Sequence, residues 1–138
     1  MTQLYAPSSY VAASPQVRAQ VVNGCGPGGW KVDLVPDRMY GLDVSAACDI
    51  HDWMYTVGLT LADKEEADRV FLNNLLRLID SAPGWIGQLW LVKKLRRTRA
   101  RVYYEAVHHF GGPAFWSGKN PEDNMVPVLL AGAAVSGR

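Results

Sequence analysis

Asp43-Val44-Ser45-Ala46-Ala47-Cys48-Asp49-Ile50-His51-Asp52-Trp53-Met54-Tyr55 is the stretch that decides how this chain is read. Asp43 is a residue type suited to a helix N-cap, and Gly58 offers a stop, so the segment predicts a helix running to about Val57. Residues four apart on a helix face the same way, which puts His51 and Tyr55 on one side, Cys48 one turn before His51, and Asp52 beside it. Upstream, Cys25-Gly26-Pro27-Gly28-Gly29 opens a loop whose glycines permit backbone conformations that other residues resist.

Downstream, Asp63 followed by Glu66 has the spacing of a capping box and starts a second helix, in which Ala67, Val70, Phe71, Leu75, Leu78 and Ile79 keep helical spacing to about Asp80. Ser81-Ala82-Pro83-Gly84 breaks it. A third, longer helix is predicted from Trp85 or Ile86 to Phe110, with Leu91, Leu95, Val102, Ala106 and Phe110 on one side and Lys93, Lys94, Arg97 and Arg101 on the opposite one. Gly111-Gly112-Pro113 ends that helix. The fold is therefore expected to be mainly α: a single domain with a loosely ordered N-terminal arm (1–22, a short helix over Pro15–Val22), a core over 23–80, a basic amphipathic helix over 85–110 and an irregular tail over 111–138. A short hairpin is expected within 30–40.

A chain of 138 residues is long enough to bury roughly two thirds of its unfolded surface without help. Its 49% hydrophobic and 20% charged residues are those of an ordinary globular domain. A net charge of +1 argues against nucleic acid as a partner. Six cations nevertheless crowd into the nine residues from Lys93 to Arg101. On a helix with Trp85, Trp90, Phe115 or Trp116 near it, such a basic face suits an anionic phospholipid membrane surface. No protein partner is indicated. The first fifteen residues lack the basic and apolar regions of a secretory signal, which favours a virion- or phage-borne protein or one delivered outside by another route.

Each residue type around His51 has a use in ester hydrolysis. Imidazole titrates near neutrality and can act as general base on a water. Asp52 is a hard carboxylate of the kind calcium takes, and a glycine-rich loop can add backbone carbonyls. A histidine base needs its second ring nitrogen oriented. Asp68, on the margin of the second helix's apolar face, is the best candidate partner, because a carboxylate aimed at a core is costly unless paired. Asp63 is a weaker one, since capping already accounts for it.

Cys25-Gly26-x-Gly28-Gly29 followed by Cys48-x-x-His51-Asp52-x-x-Tyr55 resembles the calcium loop and catalytic helix of phospholipase A2. With Asp43-x-x-Ala46-Ala47 ahead of the histidine, the likeness is greatest to the viral and prokaryotic branches of that superfamily. The resemblance covers about residues 23–80. It implies a phospholipase A2-like fold of two antiparallel catalytic helices, a glycine-rich calcium loop and a further long C-terminal helix. It implies that Asp52 and the carbonyls of Gly24, Gly26 and Gly28 bind Ca2+, that His51 is the general base, and that Asp68 and Tyr55 support it. It also implies a bridge between Cys25 and Cys48. Gly24 stands where the family usually has a tyrosine, and His51 and Asp68 are closer in sequence than in many members.

The activity so implied is calcium-dependent hydrolysis of the sn-2 acyl ester of glycerophospholipids. Two alternatives use the same residues: a catalytically silent phospholipase-like module that binds membrane or protein, and a structural component of a particle. A metal-dependent phosphohydrolase built on His51-Asp52 needs more histidine ligands than His108 and His109 readily supply.

Overall fold

The computed structural model describes residues 3–23, 38–116 and 119. In chain order these form α1 (Ser8–Ala12), α2 (Pro15–Asn23), β1 (Arg38–Met39), β2 (Leu42–Asp43), α3 (Ser45–Val57), α4 (Leu61–Asp80), α5 (Gly84–Gly87), α6 (Trp90–Phe110) and α7 (Gly112–Trp116). The mainly α expectation is met. The two strands make one antiparallel hairpin at the edge of the helical body, pairing Arg38 with Asp43 and Met39 with Leu42. Its two-residue turn has positive φ at both Tyr40 (47°) and Gly41 (80°), the backbone that matches the twist of a tight hairpin. The described hairpin spans 38–43 and overlaps the expected range at 38–40, while 30–37 fall outside the described residues.

Three helices carry the core. Gly58-Leu59-Thr60 is too short to do anything but return the chain, so α3 and α4 run antiparallel. The α4 start differs from the sequence expectation. Thr60 is the N-cap and Asp63 is the third helical residue: the Thr60 hydroxyl accepts from the Asp63 N–H at 3.1 Å, and the Asp63 carboxylate accepts from the N–H groups of Thr60 at 3.0 Å and Leu59 at 2.9 Å. Glu66 instead meets Arg69 on the surface. Asp43 likewise sits one residue before the helix-flanking Val44, its carboxylate accepting from the Ser45 N–H at 2.9 Å.

α6 packs antiparallel along α4, with Lys64 near its end and Asp80 near its beginning. Val44, Ala47, Phe71, Leu75, Ile79, Ala100, Tyr103 and Val107 close on one another with Met39 of the hairpin to form the main core. One expectation for this part of the chain is corrected, and the buried face of its long helix is defined. The segment 85–110 is not one helix: Gly84 has φ 84°, α5 is a single turn, and the Gln88 side chain donates to the Ala82 carbonyl at 2.9 Å, so the chain bends before α6 begins at Trp90. The buried face of α6 is Arg96, Ala100, Tyr103 and Val107, while Leu91, Leu95, Val102 and Phe110 are exposed.

Residues 3–12 and 112–116 are also more ordered than expected. The buried Asn74 side chain clamps the arm, its Oδ1 accepting from the Tyr5 N–H at 2.7 Å and its Nδ2 donating to the Tyr5 carbonyl at 2.8 Å. Trp53 adds a bond to the Ser9 hydroxyl and an edge-on contact with Tyr10. After α6, Pro113 opens α7 instead of an irregular tail, and Phe115 is wholly buried against Tyr55 and Ala67. Gly58 permits this, because a Cβ there would meet the Phe115 ring at 2.7 Å. The tail beyond residue 119 lies outside the described residues.

Candidate active site

α3 and α4 bring together the three residues singled out as base and supports. His51 Nε2 lies 2.8 Å from Asp68 Oδ1, and the Tyr55 hydroxyl donates to the same oxygen at 2.7 Å. The helical offset from His51 to Tyr55 and the antiparallel return of α4 bring both side chains to Asp68. The His51 ring is buried between Tyr55 and Phe71, at centroid distances of 4.1 and 4.7 Å. Gly111 gives the tyrosine room, since a Cβ there would stand 2.5 Å from its hydroxyl oxygen.

The other carboxylate oxygen is held by a residue that sequence reasoning missed. Lys64, only 5% exposed, donates from Nζ to Asp68 Oδ2 at 2.9 Å and to the carbonyls of Val107 and His108, each at 3.2 Å. A signal for it was present: Lys64, Asp68, Phe71 and Leu75 fall on one helical stripe, and a lysine on an apolar stripe four residues before an acid asks to be paired. The two carbonyls belong to the last turn of α6, where the Val107 carbonyl also accepts from the Gly111 N–H at 2.9 Å, so the ammonium adds to the cap of that helix end. His108 Nδ1 stands 4.0 Å from Oδ2, beyond hydrogen-bond reach, and has no hydrogen-bond partner among the described residues.

Burial would raise the Asp68 carboxyl, but the hydrogen bonds from His51 and Lys64, the charge of His51 and the Tyr55 hydroxyl outweigh it and hold the group below its ordinary 3.8. Burial pushes the Tyr55 hydroxyl far up, helped by the negative charges of Asp68 and Asp52, so it stays a donor. An ionised carboxylate only accepts. The hydrogen between His51 and Asp68 therefore sits on Nε2, and in the uncharged form of the ring the lone pair is on Nδ1.

Asp52 is half-buried on α3 next to His51, close enough for its charge to act on Tyr55. A single carboxylate in that place fits a cation site completed by backbone carbonyls. Gly24, Gly26 and Gly28, from which the resemblance draws those carbonyls, lie outside the described residues. Among the described residues no three His, Cys, Asp or Glu side chains gather at one point. Cys48 is half-buried against the main core, and Cys25 lies outside the described residues. Asp63 is committed to its cap, as expected.

No protein-family model, curated protein or solved structure matches this chain.

Proposed function

We propose that the chain is a calcium-dependent ester hydrolase of the phospholipase A2 type, acting on the sn-2 acyl ester of glycerophospholipids. The observation that carries this is the pairing of His51 Nε2 with a buried, ionised Asp68 whose oxygens are fully engaged, which leaves Nδ1 as the basic nitrogen.

His51 Nδ1 takes a proton from water as the water oxygen bonds to the ester carbonyl carbon. The imidazolium so formed is stabilised by Asp68 through the existing hydrogen bond, and no side chain has to move. When the bond to the glycerol oxygen breaks, the same nitrogen returns its proton to that oxygen. The products are a fatty acid and a lysophospholipid. Tyr55 and Lys64 hold Asp68 in place and keep it charged; they touch no reacting atom. Calcium, held by Asp52 and the carbonyls of Gly24, Gly26 and Gly28, would supply positive charge for the carbonyl oxygen.

Fatty-acid release from mixed phospholipid vesicles, with calcium or with chelator, tests this. Release is expected to need calcium and to fall about 10²–10⁴-fold in His51→Ala, the usual contribution of a general base. Release that survives either change overturns the mechanism. A folded, calcium-supplied protein that releases nothing leaves the silent phospholipase-like module in its place.

A further inference from the structure

The solvent side of α6 carries much of the apolar stripe read from the sequence, Leu91, Leu95 and Val102. At 100° per residue, Leu91, Leu95 and Val102 align opposite Ala100 and Val107, which are buried. Leu91 is 57% exposed, and at the corner between α5 and α6 Trp85 and Trp90 are 75% and 73% exposed, with Ile86 and Leu89 also exposed beside them. Phe115 and Trp116, the other aromatics considered for an interfacial role, are buried and half-buried.

Along most of this stripe the charge has one sign, up to Glu105, which pairs with His109 one turn beyond Arg101. No Asp or Glu occurs from residue 81 to residue 104, a span that contains Lys93, Lys94, Arg97, Arg99 and Arg101 as well as the buried Arg96. Lys94 and Arg101 are exposed along one flank of the stripe, and the Lys94 ammonium lies 5.2 Å from the Trp90 ring centre.

We propose that this face docks on an anionic phospholipid bilayer. Trp85, Ile86, Trp90 and Leu91 enter the headgroup boundary while Lys94 and Arg101 meet lipid phosphates. A solvent-facing apolar stripe flanked by cations is what a helix lying in the plane of a membrane presents, and indole rings favour the headgroup level. A second copy of the chain would set cations against cations here, and a neutral apolar partner would leave them unused. Among the described residues no helix is long and apolar enough to cross a membrane, so α6 lies on the bilayer. Docking uses none of His51, Asp52 or Asp68, and it holds or fails independently of ester hydrolysis.

The test is co-sedimentation of the full chain with vesicles in the presence of chelator. Vesicles of phosphatidylcholine alone are compared with vesicles containing a minority of phosphatidylglycerol. Binding is expected on the anionic vesicles only. It should weaken about tenfold or more in Trp85→Ala/Trp90→Ala and in Lys94→Glu/Arg101→Glu, at about 1 kcal/mol per interfacial cation. Arg69→Glu, the same charge change on exposed α4 surface, should leave binding unchanged. Circular dichroism checks that each variant keeps its helices, which is expected because all these side chains are exposed. Equal binding to neutral vesicles, full binding by both double variants, or equal weakening by Arg69→Glu overturns the proposal. So does a lipid-free dimer that Trp85→Ala/Trp90→Ala dissociates, which would give the face to a second copy.

Discussion

The two ends of the α4–α6 pair each bury a cation, and they treat it in opposite ways. Where α4 begins and α6 ends, Lys64 meets a carboxylate and two carbonyls, and every hydrogen of its ammonium has an acceptor. Where α4 ends and α6 begins, Arg96 is 7% exposed, and its Nη2 donates to the Tyr40 carbonyl at 2.7 Å. Its Nε and Nη1 have no hydrogen-bond partner among the described residues. An unpaired buried donor costs its desolvation, whereas a paired one roughly breaks even or gains. The difference shows where the fold is tightly determined. At the Lys64 end, removing Asp68 strands Lys64, His51 and Tyr55 together, and that is the end that holds His51. At the Arg96 end little would be stranded.

The sharpest way to break this contrast is Asp68→Ala, which turns Lys64 into an unpaired buried charge. A loss of about 3–5 kcal/mol is expected in chemical unfolding, the usual cost of removing one partner of a buried pair. A loss under about 1 kcal/mol would mean that Lys64 reaches water and the network is loose. Lys64→Met leaves Asp68 with His51 and Tyr55 and should cost less, about 1–3 kcal/mol. The double variant Lys64→Met/Asp68→Asn should then be more stable than the summed single losses predict, because neither charge is left alone.

Acid provides a third probe. The Asp68 pKa is lowered in the folded state, so the unfolded chain takes up this proton first as pH falls. The stability that Asp68 contributes is complete above its ordinary 3.8 and is lost as pH drops through the lowered folded-state value. The gap in unfolding midpoint between the wild type and Asp68→Asn should accordingly be widest above pH 4 and close below it. A gap independent of pH would show that ionisation is not what stabilises the site. At the other end, Arg96→Met should change stability by less than about 1 kcal/mol in either direction, since the lost bond to Tyr40 is offset by the removal of two donors with no partner among the described residues. A loss as large as that of Lys64→Met would remove the contrast.

Much of the site was legible before the structure because its parts are local. His51 and Tyr55 are one helical turn apart, and the break at Gly58 implies that α4 returns alongside them. Asp68 then had few places to go except toward the histidine. Lys64 was legible in principle, as a lysine on the stripe of Asp68 and Phe71, but its two carbonyl acceptors come from the last turn of α6, and no local pattern announces them. Which face α6 buries was not legible for a related reason. Leu91, Leu95 and Val102 are the more apolar stripe, yet Arg96 and Tyr103 are buried, because Tyr103 donates to the Arg38 carbonyl and Arg96 to Tyr40 of the hairpin. Apolar periodicity says that a helix has a face, and the packed neighbour decides which face it uses.

By itself the sequence determined the mainly helical class, the placement of the α3 and α4 helices, and the candidate set His51, Tyr55 and Asp68, since all of these follow from spacing within a few turns of chain. Tertiary structure alone decided that Lys64 completes the carboxylate and that α6 turns its apolar stripe outward. It also decided that residues 3–12 are pinned by Asn74 and Trp53. Each of those outcomes depends on which groups meet across long separations in the chain. A buried charge or a helix face is stabilised by the partner it meets, and spacing along one segment does not specify that partner.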